Sequence, residues 1–278
     1  MASTRTEAQA AFEEGNIEAA VAAQLAIVKA KPAELGERAF LAELLCFAGD
    51  FARADKQLDV LTTQDPKAAL PLALFRQIIR AETARQEVWT AGRVPEFLGP
   101  PPAHLSARLR ALAELRAGDN AAAAASLAEA EAETPQVTGE HDGAGFADWR
   151  DLDDVLGGTL EVLTSTGKHF WVPIERVIQI DFHAPERARD LLFRRALLSV
   201  KDGPEGEVFI PTLYVPPAGA ELSPDLRLAR ASDWTGGDGV PVRGIGQRTF
   251  LIGDDALGLL DLGSIALAAQ PAVEEAAS

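Results

Sequence analysis

Apolar side chains recur every third or fourth position through the first 135 residues and close to every second position after about residue 157. The first period lines one face of a helix and the second lines one face of a strand, so a helical half followed by a β-rich half is predicted. Within the helical half a pattern repeats. Gly15-Asn16-Ile17-Glu18-Ala19-Ala20 returns as Gly49-Asp50-Phe51-Ala52-Arg53-Ala54 and as Gly118-Asp119-Asn120-Ala121-Ala122-Ala123, at spacings of 34 and 69 residues. Each glycine is followed 17 residues later by a proline, at Pro32, Pro66 and Pro135. Glycine takes the left-handed turn that closes one helix, Asn or Asp caps the next, and proline ends it. Leu58, Leu61 and Leu127 are then expected at the seams of helical hairpins. This is the turn-and-proline signature of tetratricopeptide-like repeats, without their usual early Trp and Tyr.

The turn glycine due near residue 83 is replaced by Thr83-Ala84-Arg85, while Leu72, Phe75, Ile79 and Trp89 keep the helical period. One longer helix ending near Gly92 is predicted there. Residues 94–102, VPEFLGPPP, form a rigid non-helical connector. Phe97 and Leu98, held by its prolines, either dock into the same domain or join Trp89 in a partner-binding surface. The polar, breaker-rich residues 133–145 place a domain boundary. The expected plan is a helical domain over 1–135, a linker over 136–145, a β-rich α+β domain over 146–263 and a disordered tail over 264–278. Strands are expected over 159–165, 169–172 and 177–182, around a Thr166-Gly167-Lys168 turn and a corner at 173–176. A short helix over 186–193, an antiparallel pair over 195–200 and 207–215, an edge segment over 226–230 and last strands over 242–252 and 257–262 complete an α+β, mainly antiparallel fold.

Charge narrows the partners. The 278 residues carry a formal net charge of −16, and both halves are acidic: residues 1–140 hold 14 basic and 20 acidic side chains. Such a surface repels nucleic acid and anionic membranes, so neither is an expected partner. Residues 1–15 lack the apolar core of a secretory signal, and no run of about 18 uncharged apolar residues occurs. Cys46 is the single cysteine and sits in an apolar run, where it reads as a small buried residue rather than a reactive thiol. A cytoplasmic location is expected.

Candidate chemistry is sparse. Gly244-Ile245-Gly246 suggests a dinucleotide loop, but a third glycine and a following helix are missing, and Thr249-Phe250-Leu251-Ile252 continues as strand. A bulge or tight turn at Gly244 and Gly246 is expected instead. Asp151, Asp153, Asp154 and Glu161, with His141, His169 and His183, make a metal-assisted hydrolase one alternative. The histidines lack paired ligand spacing, and these carboxylates are expected on a solvated face or as a charge arrangement at a helix start. No catalytic set, metal or cofactor is expected. A second alternative, a co-chaperone gripping acidic peptide ends, meets a helical half that is net acidic and lacks a basic clamp.

Several stretches together resemble the ImpE/TagJ family of type VI secretion accessory proteins. They are residues 146–160 (FADWRDLDDVLGGTL), His169-Phe170-Trp171-Val172-Pro173-Ile174-Glu175-Arg176, residues 185–192, Ile210-Pro211-Thr212-Leu213-Tyr214 and Gly244-Ile245-Gly246-Gln247-Arg248. Ile79-Arg80-Ala81-Glu82, Gly92 and Pro95-Glu96-Phe97-Leu98-Gly99 extend the likeness into the helical half. The resemblance implies a non-enzymatic adaptor that binds the N-terminal helix of the small contractile-sheath subunit and connects with the ClpV ATPase. Trp171, Pro173, Gly244, Gly246, Gln247 and Arg248 are its motif residues and are expected to be structural.

Overall fold

In the computed structural model, which describes residues 6–268, the helical half consists of α1 (Glu7–Glu13), α2 (Ile17–Ala30), α3 (Leu35–Phe47), α4 (Phe51–Gln64), α5 (Ala69–Ala91), α6 (Ala103–Arg116) and α7 (Asn120–Glu133). One local device is used three times. Gly15, Gly49 and Gly118 turn the chain at φ of 78°, 71° and 80°. The next residue, Asn16, Asp50 or Asp119, then accepts a 3.0 Å hydrogen bond from the backbone N–H three positions on. Each cap satisfies one of the orphan donors of a helix N-terminus. Helices α1 and α2, α3 and α4, and α6 and α7 pack as pairs, with Leu58, Leu61 and Leu127 buried between them. Where the turn glycine is missing, α5 runs on for 23 residues and stops at Gly92 in the left-handed conformation.

The β half follows as β1 (Gly139–His141), β2 (Ala144–Phe146), β3 (Trp149–Asp151), β4 (Thr159–Leu163), β5 (His169–Pro173), β6 (Val177–Phe182), β7 (Phe193–Val200), β8 (Glu205–Pro211), α8 (Pro224–Arg227), β9 (Ser232–Gly237), β10 (Val240–Gly246), β11 (Thr249–Ile252), β12 (Asp255–Gly258) and β13 (Ser264–Leu267). Eight strands form one sheet in the order β2-β1-β13-β6-β7-β8-β4-β5, with antiparallel neighbours throughout. β12, β11 and β3 form a second sheet, and β9 and β10 form a hairpin. Leu160, Val172, Ile180, Leu198, Ile210 and Phe250 are among the residues of the core between them. The chain is therefore α+β, with helices first and an antiparallel β region after.

Four local expectations are corrected. Residues 139–146, read largely as linker, are the hairpin of β1 and β2, because Gly139 fits against the backbone of β13, where a Cβ would come within 2.3 Å of Ala266 O. Ser264–Leu267, read as the start of the tail, is β13, paired on both sides by β1 and β6; the tail beyond residue 268 lies outside the described residues. The edge segment expected over 226–230 begins instead as α8, whose Leu226 N–H is capped by Ser223. The single strand expected over 242–252 is two strands in different sheets, broken where Gly246 adopts φ 81°.

Apolar packing joins the halves at two places. Leu163, Leu192, Phe193 and Phe209 of the β half share a cluster with α3, α4 and α5. Val155, Leu156, Trp171 and Tyr214 share another with α5, α6 and α7.

Candidate functional site

At the seam, burial and charge coincide. Ile78, Ile79, Glu82, Arg85, Val88 and Trp89 lie on the buried stripe of α5, so a helical period that elsewhere buries apolar groups here buries an ion pair. Opposite them β4 is buried along its whole length and carries Glu161 at its centre. Arg85 donates from Nε to Glu161 (2.8 Å), from Nη1 to Glu82 (3.1 Å) and from Nη2 to the Leu213 carbonyl (2.8 Å). Trp89 Nε1 donates to the other Glu161 oxygen at 3.1 Å. Arg248 reaches Glu161 at 3.5 Å and holds Asp151 through Nε (3.0 Å) and Nη2 (2.7 Å). The Tyr214 hydroxyl donates to Asp151 at 2.7 Å and accepts from the Thr249 N–H. His169 Nε2 lies 3.2 Å from Glu161 without the alignment of a hydrogen bond.

The network extends through the acidic run. Asp153 accepts from Arg243 Nε at 2.8 Å and from the Gly244 N–H at 2.9 Å. Its other oxygen accepts from Val155 N–H, and Asp153 N–H in turn donates to Asp151. Asp154 accepts from the Val242 N–H at 2.6 Å. Asp151, Asp153 and Glu161 are 2%, 0% and 0% exposed. The solvated face expected for the acidic run is therefore corrected for Asp151, Asp153 and Glu161, which point inward because Arg85 of α5, Arg243 of β10 and Arg248 just beyond β10 come to meet them, whereas Asp154 is exposed. Burial alone would weaken every charge here; at Arg85 and Glu161 the partners outweigh it, and at Asp151 they do not. Burial works against the Arg85 guanidinium, yet Glu161 and Glu82 raise it above its ordinary range. Burial likewise opposes the Glu161 carboxylate, but Arg85, His169 and Arg248 hold it well below the usual value. Asp151 has Arg248 on one side and Asp153 on the other, and burial pushes it up to about 6. The Tyr214 hydroxyl is raised by burial and by Asp151.

The motif residues sit around this network. Gly244 has no room for a side chain, since a Cβ would lie 2.3 Å from the Tyr214 ring. Gln247 donates to Ala229 O and accepts from Leu260 N–H, pinning two loops. Trp171 is wholly buried, 6.4 Å from the Trp89 ring, and Pro173 ends β5 in a buried position. Gly157 and Gly158 let α6 press against the loop, so that Arg108 Nη1 donates to Asp154 O and His104 Nε2 lies 2.9 Å from Glu175.

The candidate partner-binding residues are brought to the same seam but are largely covered. Trp89 is 6% exposed, with the Arg243 guanidinium 4.3 Å above its ring. Phe97 and Leu98 are half-buried, against the α6–α7 cluster and the β core. Their connector adds to the edge of β5, with Glu96 N–H donating to His169 O (2.9 Å) and Trp171 N–H donating to Glu96 O (3.0 Å). Cys46 is buried, which raises its thiol.

Beside the network lies a cleft of about 550 Å³, between the α3–α4 turn, α5 and the strap of residues 216–227. Glu82, Arg85 and Gln86 floor it, and Phe47, Phe51, Leu213 and Leu222 contribute half-exposed apolar walls. The strap is fixed to the helical half by Pro224 against Gly15 and by the Arg227–Glu18 pair. Sequence reasoning missed Arg85, Arg243, Tyr214 and this cleft. The available signal was a charged residue at an apolar position, Glu82 and Arg85 on the α5 stripe and Glu161 within β4.

The family described as ImpE protein matches residues 143–266. Over 249 residues the chain is 31% identical to the type VI secretion system accessory component TagJ of Pseudomonas aeruginosa, covering 89% of this chain and 86% of that one. The crystal structure of protein VPA1032 from Vibrio parahaemolyticus matches with a TM-score of 0.89 at 25% identity, over 97% of this chain and all of that one.

Proposed function

This chain belongs to the ImpE family, and on that premise we propose that it is an accessory component of a type VI secretion system, working as an adaptor and not as an enzyme. The likeness to TagJ over 89% of the chain carries the accessory role. The adaptor reading is supported by the fate of the groups best suited to chemistry. Asp151, Asp153 and Glu161 are engaged by arginines, Tyr214, Trp89 and backbone N–H groups. That engagement turns them into struts between the two halves and disfavours a hydrolytic role.

In this reading the helical half is a tetratricopeptide-like scaffold, and the partner is the N-terminal helix of the small sheath subunit, laid into an apolar groove. A connection to the ClpV ATPase and a cytoplasmic location go with that partner. Among the described residues no helix is long and apolar enough to cross a membrane. Co-purification of this protein with the small sheath subunit, full length and lacking its N-terminal helix, tests the reading. Retention of the full-length subunit alone is expected, and equal retention of both forms overturns it.

A further inference from the structure

We propose that residues 216–222, the first part of the strap, form a lid that swings off the cleft while both its ends stay fixed, with Arg227 as the clasp that holds it shut. The ends are anchored in the β half. Before the lid, Tyr214 donates its N–H to Gly246 O, and Val215 is buried. After it, Ser223 caps α8, and Leu226 packs so closely on Gly246 that a Cβ there would lie 2.6 Å from its side chain. Between these points the chain has no helix or strand. Among the described residues one backbone hydrogen bond lies within the lid, from Ala220 N–H to Pro217 O. One more ties it to its surroundings, from Arg227 Nε to Leu222 O at 3.3 Å. Pro216 and Leu222 are its contributions to the cleft wall, and Leu222 is only half-buried. A segment with so few contacts opens locally without the rest of the fold.

The clasp reaches two ways. While its Nε holds the Leu222 carbonyl, Arg227 Nη1 pairs with Glu18 of α2 at 2.5 Å. One guanidinium thus fixes the trailing end of the lid to the helical half. Arg227 is itself held in place by its neighbours. Pro224 nests on Gly15, where a Cβ would lie 2.3 Å away, and Arg230 Nη1 donates to Glu13 O at 2.9 Å. The equivalent turn glycines Gly49 and Gly118 have nothing within 4 Å, so of the three turns only the first is built to receive the strap. The Arg227 and Glu18 side chains are 34% and 72% exposed, which makes their pair weak and sensitive to salt. Among the described residues no hydrogen bond joins the lid to the buried network, so the lid opens with the seam intact. For an adaptor, the reading on which this consequence rests, the lid governs exchange of whatever occupies the cleft.

The single thiol reads the lid directly. Cys46 lines the cleft and is 3% exposed, and a thiol so buried reacts only from an opened state. Its rate of labelling is measured on the full-length protein with 2,2′-dithiodipyridine, an uncharged reagent, so that added salt acts on the protein alone. Arg227→Gln removes both holds of the clasp and is expected to speed labelling about fivefold. Glu18→Gln removes one and should speed it about twofold. Raising salt from about 50 to about 500 mM should speed the wild-type reaction about twofold and leave Arg227→Gln unchanged. Asp119→Ala, which weakens the remote α7 cap, should leave the rate as it is, whereas labelling through global unfolding would make it about fivefold faster. A wild-type rate in Arg227→Gln, or an equal acceleration in Asp119→Ala, overturns the lid. Should Arg227→Gln fail to fold, Glu18→Gln and the salt series decide, and unchanged rates in both overturn it. No partner is present in the measurement, so its failure leaves the adaptor reading standing.

Discussion

The α6–α7 hairpin and the seam network hold the same molecule together by opposite means. The hairpin is made from neighbours in sequence: a left-handed Gly118, an Asp119 cap, small alanines facing inward and Pro135 beyond the end. Each contributes a little, and each is replaceable. The network is made from residues far apart in sequence. Arg85 meets Glu161 across 76 positions, and Arg248 meets Asp151 across 97. Its central members, Arg85, Asp151, Asp153, Glu161 and Arg248, are buried charges, so each is tolerable only while the others are present. The hairpin specifies a local shape, whereas the network specifies how two halves meet.

The sharpest way to break that contrast is to remove the carboxylate shared by the most partners. Glu161→Ala strands Trp89 Nε1, takes from Arg85 its shortest carboxylate bond and from Arg248 its second carboxylate, leaving Arg85 with Glu82 and Leu213 O and Arg248 with Asp151 alone; this should cost about 3–5 kcal/mol in urea unfolding. A loss under about 1 kcal/mol would put the network on the same footing as surface pairs and erase the distinction.

Titration sharpens the same point, because the two carboxylates at the ends of Arg248 respond oppositely. Asp151 is raised from an ordinary 3.8 to about 6, first by burial. Its stabilising contribution is complete below about pH 4 and is lost as pH rises through about 6. Glu161 is held low, so its contribution is present above its ordinary 4.5 and is lost as pH falls. Relative to Asp151→Asn, the wild-type protein should lose roughly 3 kcal/mol between about pH 4 and pH 6.5. Parallel stability profiles for the two proteins over that range would contradict the assignment.

Gly244→Ala probes whether the network depends on close packing as well as on charge. The new methyl would overlap the Tyr214 ring at 2.3 Å and push its hydroxyl off Asp151. A loss of about 1–3 kcal/mol is expected, and Tyr214→Phe in the same background should cost less than it does alone, since the hydrogen bond is already gone.

The same contrast explains what the sequence disclosed. The α2, α4 and α7 boundaries were legible because Gly15, Gly49 and Gly118, their caps and the following prolines act within a few residues of themselves. β6 was legible to the residue because its alternation needs no distant partner. The seam was not. Nothing within reach of Asp151 or Asp153 in the sequence announces that Arg248, Arg243 and Tyr214 will arrive from more than 60 positions away, so a cluster of carboxylates read as a wet surface. β1, β2 and β13 were lost for a related reason. They are three- and four-residue strands stabilised by each other, too short for a period of two to show.

The smallest effect belongs to the hairpin, and its size is the measure of the difference. Asp119 Oδ1 accepts the Ala122 N–H at 3.0 Å on a solvent-exposed turn. Removing it with Asp119→Ala frees a donor that water can reach, so no buried group is stranded, and a loss of about 1 kcal/mol is expected. Gly118 keeps its left-handed turn and the buried Leu127 keeps its seam, so the hairpin should survive with only its first turn frayed. Amide exchange should then quicken at the start of α7 and remain slow in β4. A change that reached β4, more than 20 residues beyond the end of α7, would mean that the hairpin and the network unfold as one unit, and the division between a locally specified scaffold and a globally specified seam would have to be abandoned.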